Sequence, residues 1–246
     1  MSSLVGLRPT LPLVSRHGMF PARPTTDTLG PMTRSVRDAA LLLDVIAGYD
    51  PNDPVTAYAV GQIPVSYDGN VFETESAIDK YLAQHPKAPV RTLREILLSG
   101  KVVPSRVRVL MNSVGKSTED TGYRRVLLTE ADTRQVVLTL MADNQLDALV
   151  YATFDHQPPR IGPDVMTRVV VDDVPGPGNN RRLSPILGFP AMTLPAGFTT
   201  DGLPVGLEFM GRPYAEGTLF KFGYAYEQAT RHRRPPASTP GLRGEP

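Results

Sequence analysis

The chain has no cysteine and no tryptophan in 246 residues. The missing cysteine excludes disulfide frameworks, cysteine-ligated zinc, iron–sulfur clusters and cysteine nucleophiles together. It fits a reducing compartment. Excess charge is also missing: 26 Lys and Arg face 25 Asp and Glu, a formal charge of +1. Nucleic-acid and membrane-surface proteins usually carry a basic surplus, so neither partner is expected. No apolar run approaches the roughly 20 residues of a membrane helix. The first residues, Met1 to Thr10, lack the charged n-region and apolar h-region of a secretory leader. The expected location is the cytoplasm.

Proline and glycine are plentiful. Pro (25) and Gly (21) together make about 19 % of the chain, against an average nearer 12 %. The prolines are interleaved with apolar stretches, which predicts ordered turns around a globular core. Pro9, Pro12, Pro21, Pro24 and Pro31 forbid a long helix in residues 1–33. Leu11, Leu13 and Val14 are the strand candidates there. Ser35-Val36-Arg37-Asp38 reads as a capping-box variant opening a helix over 35–47, with Gly48 suited to the left-handed position that ends it. Residues 49–72 read as loop and 75–84 as a short helix. Thr92 to Glu95 is a second capping box, with Gly100 as its stop. A long amphipathic helix is expected over 123–143, its stripe formed by Val126, Leu127, Ala131, Val137, Leu138 and Met141.

The short apolar run 147–153 predicts a buried strand. Residues 155–185 are polar and rich in Pro and Gly, as functional or mobile loops are. Two further strands, 190–195 and 204–210, flank an Asp201-Gly202 hairpin turn. A helix over about 215–230 follows, with Glu216 near its positive end. Helices alternating with short buried strands define an α/β class.

Several familiar chemistries fail on spacing. Val114-Gly115-Lys116-Ser117 resembles the end of a phosphate-binding loop, but the glycine needed five residues before Gly115 is Leu110. Gly176-Pro177-Gly178 lacks the third glycine of a dinucleotide fingerprint, since position 181 is Arg. His17, His85, His156 and His232 do not pair at metal spacing. Asp155, His156, Asp164, Asp172 and Asp173 offer an oxygen-rich set, although adjacent acids usually point apart. His156 has no Gly-x-Ser-x-Gly elbow to serve. Arg231-His232-Arg233-Arg234 reads as a basic helix end. Asp27 suits a turn-bracing acceptor or a substrate contact.

Several longer segments, taken together, resemble the amidase signature family. They are Gly6-Leu7-Arg8-Pro9-Thr10, Val14-Ser15-Arg16-His17-Gly18, Asp27 through Gly48 on to Pro54, Gly188-Phe189-Pro190-Ala191, Pro195-Ala196-Gly197-Phe198, Asp201 to Leu207, and Gly211-Arg212-Pro213-Tyr214 to Leu219. The resemblance covers roughly residues 4–54 and 146–236. It implies an α/β domain around a twisted mixed sheet, spanning 1–236, with 237–246 as a flexible tail. It also implies hydrolysis or transfer of amide acyl groups with no metal and no cofactor. The family's nucleophile is a serine activated through a second serine on a cis peptide and a lysine. Backbone N–H groups of a Gly-Gly-Ser-Ser-Gly-Gly segment form its oxyanion hole.

All of these precede the Val-Gly-Leu-Arg-Pro-Thr motif, which begins here at Val5. The resemblance therefore puts the nucleophile before Met1 and makes this the C-terminal portion of an amidase. Ser2 and Ser3 fall after the nucleophile, and Lys80, Lys87, Lys101, Lys116 and Lys221 all lie downstream, so no catalytic residue is assigned. Residues 155–185, with Asn179 and Asn180, would line the acyl or leaving-group side; both Asn equally suit turns. The expected partner is a small amide substrate once the N-terminal half is present. An incomplete sheet also favours self-association. The alternative is a non-catalytic subunit that completes a partner's sheet. A third reading is one component of an acyl-transferring amidotransferase. Nothing in the sequence indicates transfer-RNA binding.

Overall fold

The structure is a computed structural model, and it describes residues 3–59, 71–154, 157, 163, 167 and 180–236. Five strands form one sheet in the order β2-β1-β4-β5-β3. They are β1 (Val5–Arg8), β2 (Met32–Thr33), β3 (Ala148–Tyr151), β4 (Ala191–Phe198) and β5 (Pro204–Gly211). The class is α/β, as the alternating pattern predicts. Every strand pairing among the described residues is antiparallel, where the resemblance implied a mixed sheet.

The β4–β5 hairpin is the centre of the sheet and follows from its turn chemistry. Gly202 adopts φ +78°, and Thr199 N–H donates to Leu203 O at 2.8 Å. Pro195 has no N–H to give a ladder, and it sits at a register shift in β4, beyond the last pair that β4 makes with β1. β1 was not foreseen, because Gly6 and the flanking prolines hide a four-residue alternation. The strand candidate at Leu11–Leu13 is instead a 3-10 turn, with Pro12 at its start, and Val14 makes one bridge to Ala47. The run at 147–153 is an edge strand rather than a buried one: Val150 is 54 % exposed.

One face of the sheet is covered over β1 and β4, while Val150 of β3, opposite Phe209 on the same face, stays exposed. Val5, Leu7, Met192 and Leu194 pack there against Val36, Ala39 and Leu43 of α1 (Val36–Ile46) and Leu219 of α7 (Glu216–Thr230). α1 starts as its capping box predicts, with Ser35 Oγ accepting from Asp38 N–H at 3.2 Å. It ends differently: Ala47 turns extended, and Gly48 takes φ +144°, outside the left-handed helical well. At Gly223 on α7 an added Cβ would meet Met192 Sδ at 2.6 Å, so glycine sets how closely α7 approaches the sheet. Glu216 does more than complement a helix dipole: its buried carboxylate accepts from Thr10 N–H at 2.6 Å.

The opposite face is half covered. Ala191 and Met210 pack with Leu187 and Phe189 under α5 (Thr121–Asp143) and α6 (Leu183–Leu187). α5 runs two residues longer than its predicted start, and of its expected stripe Met141 is fully buried while Ala131 is exposed. A separate small core forms from α2 (Val71–Ala83), α3 (Leu93–Leu98) and α4 (Pro104–Met111), where Ile78, Leu82 and Leu93 meet. α2 begins four residues earlier than the sequence suggests, and α4, with Pro104 at its first turn, falls where the sequence reading assigns no element.

Candidate functional site

Strand pairing brings polar residues of four strands onto the uncovered half of the second face. Gly6 on β1 lies opposite Thr193 on β4, Thr193 opposite Glu208 on β5, and Glu208 opposite Tyr151 on β3. Side chains alternate along a strand, so these residues share one face while Leu7, Met192 and Phe209 point to the other. Glu208 is 6 % exposed. Its Oε1 accepts from Tyr151 O–H at 2.7 Å, and its Oε2 from Thr153 Oγ1 at 2.6 Å and Thr193 Oγ1 at 3.3 Å. Three hydroxyl donors around one carboxyl fix it as an acceptor. Burial, and then the neighbouring Glu208 carboxylate, push the Tyr151 phenol well above its ordinary value.

Arg8 stands at the end of β1 on the same face. Its Nη2 donates to Thr26 O at 2.6 Å, while Nη1 is shielded from solvent with no hydrogen-bond partner. Burial lowers the guanidinium to about 10, against the pull of Asp27 and Glu208. At that value it stays charged at neutral pH. Two cavities lie over this surface. One of about 290 Å³ is lined by Arg8, Thr28, Gly30, Arg181, Ser184 and Glu208 among others. The other, about 300 Å³, reaches Ser3, Leu4 and Phe154. Both are lined by Gly6, Met32 and Thr193, so they form one groove across β1, β4 and β5.

Of the residues expected from the sequence, Asp27 and Asn180 are described, and neither lines these two cavities. Asp27 Oδ2 accepts from Ala22 N–H at 2.8 Å and Arg23 N–H at 2.6 Å, which braces the turn that carries Thr26 to Arg8. Asn180 is bound to the end of β3: its N–H donates to Thr153 O and its Nδ2 to Ala152 O, both at 3.0 Å. Asn179, and most of 155–185, lie outside the described residues. Ser3 Oγ is buried with no hydrogen-bond partner, and Ser2 is outside the described residues. Lys116 sits over the Phe72 ring at 5.7 Å, away from the sheet. No group of three His, Asp or Glu able to hold a metal occurs among the described residues.

Sequence reasoning missed Glu208, Tyr151, Thr153 and Thr193. One signal was present: Val205-Gly206-Leu207-Glu208-Phe209-Met210 places a single charge inside an apolar strand, on the face of Gly206. A buried acid in a central strand needs partners, and only pairing with β3 and β4 reveals them.

A sheet packed on one face, and polar and cavity-bearing over half of the other, offers the concave kind of surface on which ligands bind in α/β proteins. The amidase family profile matches residues 1–79 and 62–220. The chain belongs to the amidase family. It is 28 % identical to a glutamyl-tRNA(Gln) amidotransferase chain of Desulforudis audaxviator, with 97 % of this chain and 61 % of the relative aligned. An amidase of Pseudomonas putida is 29 % identical, over 96 % of this chain and 60 % of the relative. Among solved structures, native peptide amidase from Stenotrophomonas maltophilia superposes with a TM-score of 0.77 at 28 % identity, covering 96 % of this chain and 60 % of that one. The chain thus spans about three fifths of the length of these relatives. The alignment to the Desulforudis protein runs over 309 positions, more than the 246 residues here, so that relative also carries residues within the matched span that this chain lacks.

Proposed function

We propose that this chain supplies the scaffold and substrate-facing wall of an amidase that cleaves carboxamide C–N bonds, while the serine nucleophile, the second serine and the lysine belong to residues outside it. The observation that carries this reading is the groove over Gly6, Thr193 and Glu208, which opens at Ser3 and Leu4. That is the end of β1 from which the family resemblance places the nucleophile a few residues away. Asp27, Asn179 and Asn180 support the same pocket in this reading. Asp27 acts through the turn it braces, and Asn180 by anchoring the segment that leaves β3. No cofactor enters the scheme.

The arrangement present in the chain can orient a polar group but cannot open an amide. A weak hydroxyl becomes a nucleophile only with a base in hydrogen-bond reach, and Ser3 Oγ has no such partner. The purified chain is therefore expected to release no ammonia from benzamide in a coupled assay. Release that disappears on Ser2→Ala or Ser3→Ala would contradict the assignment.

A second reading follows from the sheet edges. β3 leaves Val150 54 % exposed at one edge, and β2 is two residues long at the other, with Met32 73 % exposed. Open edges and apolar side chains of this kind pair with further strands. The chain would then complete a partner's sheet, or associate with itself. Light scattering with a hydrophobic dye separates the cases: an isolated chain with uncovered surface self-associates or raises dye fluorescence, and a dye-silent monomer would argue against both.

A further inference from the structure

A further cleft, of about 680 Å³, lies off the sheet and shares no lining residue with the groove. One wall is a face of α2. Ala77, Lys80 and Tyr81 line it at the three- and four-residue spacing that puts side chains on one side of a helix, and Gln84 and His85 continue it past the last turn. The other wall is the strap of residues 16–24, where Met19, Pro21 and Pro24 line the cleft. The strap is tied at both ends. Arg16 holds the Asp53 carboxylate through its N–H, Nε and Nη2, and its Nη1 donates to Pro24 O. Thr25 Oγ1 donates to the buried Glu73 of α2 at 3.0 Å. Between these ties Phe20 meets Tyr81 edge to face, with ring centroids 5.0 Å apart. The cleft is therefore preformed by the fold.

One charge in it is unanswered. Arg16 and Asp53 cancel each other. His17 interacts electrostatically with Asp50. Lys80 has no acid partner among the described residues, because the acids of its own helix face elsewhere. Glu73 binds Thr25 and Tyr123, Glu75 pairs with Arg94, and Asp79 accepts from Leu93 N–H at 2.7 Å. The carbonyl end of α2 is covered too: Tyr81 O accepts from Gln84 N–H at 3.1 Å and from His85 Nδ1 at 2.7 Å. A carbonyl only accepts, so His85 Nδ1 carries the proton, and Nε2 donates on the charged ring. Lys80 Nζ, the Gln84 amide and the Tyr81 hydroxyl have no hydrogen bond among the described residues. All three can donate. A ligand ammonium would meet Lys80 and find the Asp53 carboxylate already taken. An oxyanion meets a cation and several donors. The hollow is far larger than a bare oxyanion, and Met19, Pro21, Pro24 and Ala77 give it apolar surface, so the ligand that fills it carries an apolar body as well.

We propose that this cleft is a second binding site, for a small organic oxyanion (a carboxylate or a phosphate on an apolar body), with Lys80 as its counter-charge. A ligand held there bridges α2 and the strap. The site does not depend on what the groove on the sheet does.

Equilibrium dialysis of the full chain against radiolabelled benzoate and phenyl phosphate, at neutral pH and low salt, tests it. At least one of the two is expected to bind saturably, one per chain, and the stronger of them tells whether a singly or a doubly charged head fits. Benzyl alcohol keeps the ring and drops the charge, and should bind at least about tenfold more weakly. Lys80→Ala should weaken the anion about tenfold, the size of one hydrogen bond to a charged group, and Lys80→Arg should keep it within about threefold. Lys80 is exposed, so its loss leaves the core intact. Lys87→Ala removes the same charge from an exposed position outside the cleft and should leave binding unchanged. Absence of saturable binding by either anion, equal binding of benzyl alcohol, or an equal loss in Lys87→Ala would overturn the site. So would full affinity in Lys80→Ala, which would put the anion elsewhere, such as beside Arg8 and Arg181 in the groove.

Discussion

Single atoms decide much of the site's framework. At Gly30 an added Cβ would lie 2.0 Å from Leu7 O and 2.8 Å from Pro9 Cδ. Neither atom is the end of a flexible side chain, and Leu7 N–H already donates to Pro31 O at 3.0 Å. Gly30→Ala must therefore move β1 itself, at a cost of about 3 kcal/mol, measured by urea unfolding. Asp53 shows the electrostatic side. It accepts from Arg16 N at 2.8 Å, Nε at 3.0 Å and Nη2 at 2.9 Å, which ties the turn after Val14 to the turn after α1. Burial pulls the Asp53 carboxyl up, but the bonds from Arg16 outweigh it, so it lies below its ordinary value of 3.8. That contribution to stability is complete above pH 3.8 and is lost as pH falls through the lower folded value. Asp53→Asn should cost about 2 kcal/mol at pH 7. Its deficit against wild type should shrink below pH 3.8 in parallel chemical denaturations. Arg16 stood in a recognised motif, yet its partner 37 residues away could not be read from spacing.

Elements were legible where local signals settle them. Ser35 and Thr92 cap α1 and α3 as their sequences predict, accepting from Asp38 N–H at 3.2 Å and Glu95 N–H at 3.1 Å. Ser35→Ala is expected to remove about 1 kcal/mol, seen as a lower urea midpoint with an unchanged slope. A matching loss of slope would mean that α1 does not unfold with the rest. The same local reasoning failed for β1 and for the edge position of β3, because a strand's identity depends on its neighbours. Val5 and Leu7 are buried only because β2 and β4 flank them. The apolar run 147–153 looked buried by composition, but β3 pairs with β5 alone among the described residues. Glu208 escaped notice for the same reason: its three hydroxyl partners come from β3, β4 and the residue two beyond β3.

At the scale of the whole molecule the two faces of the sheet tell different stories. The face toward α1 and α7 is packed over β1 and β4, with Val5, Met192 and Leu219 fully buried, and open only at Val150 on the β3 edge among the described residues of its strands. The other is closed by α5 and α6 over half its width and polar over the remainder. Apolar groups remain outside on several helices: Val45 is 80 % exposed, Leu98 86 % and Val136 67 %. Such surface fits a chain that spans three fifths of its relatives. Family membership was legible because long motifs survive in order at both ends of the chain. The groove was not, since it exists only once β1, β4 and β5 lie side by side.

The most direct measurement is amide hydrolysis by two proteins: the chain alone, and the chain joined to the part of Stenotrophomonas maltophilia peptide amidase that it does not span. The account predicts ammonia from benzamide or a peptide amide only in the joined protein. Turnover by the chain alone, or a folded joined protein that binds the amide and leaves it intact, would contradict it.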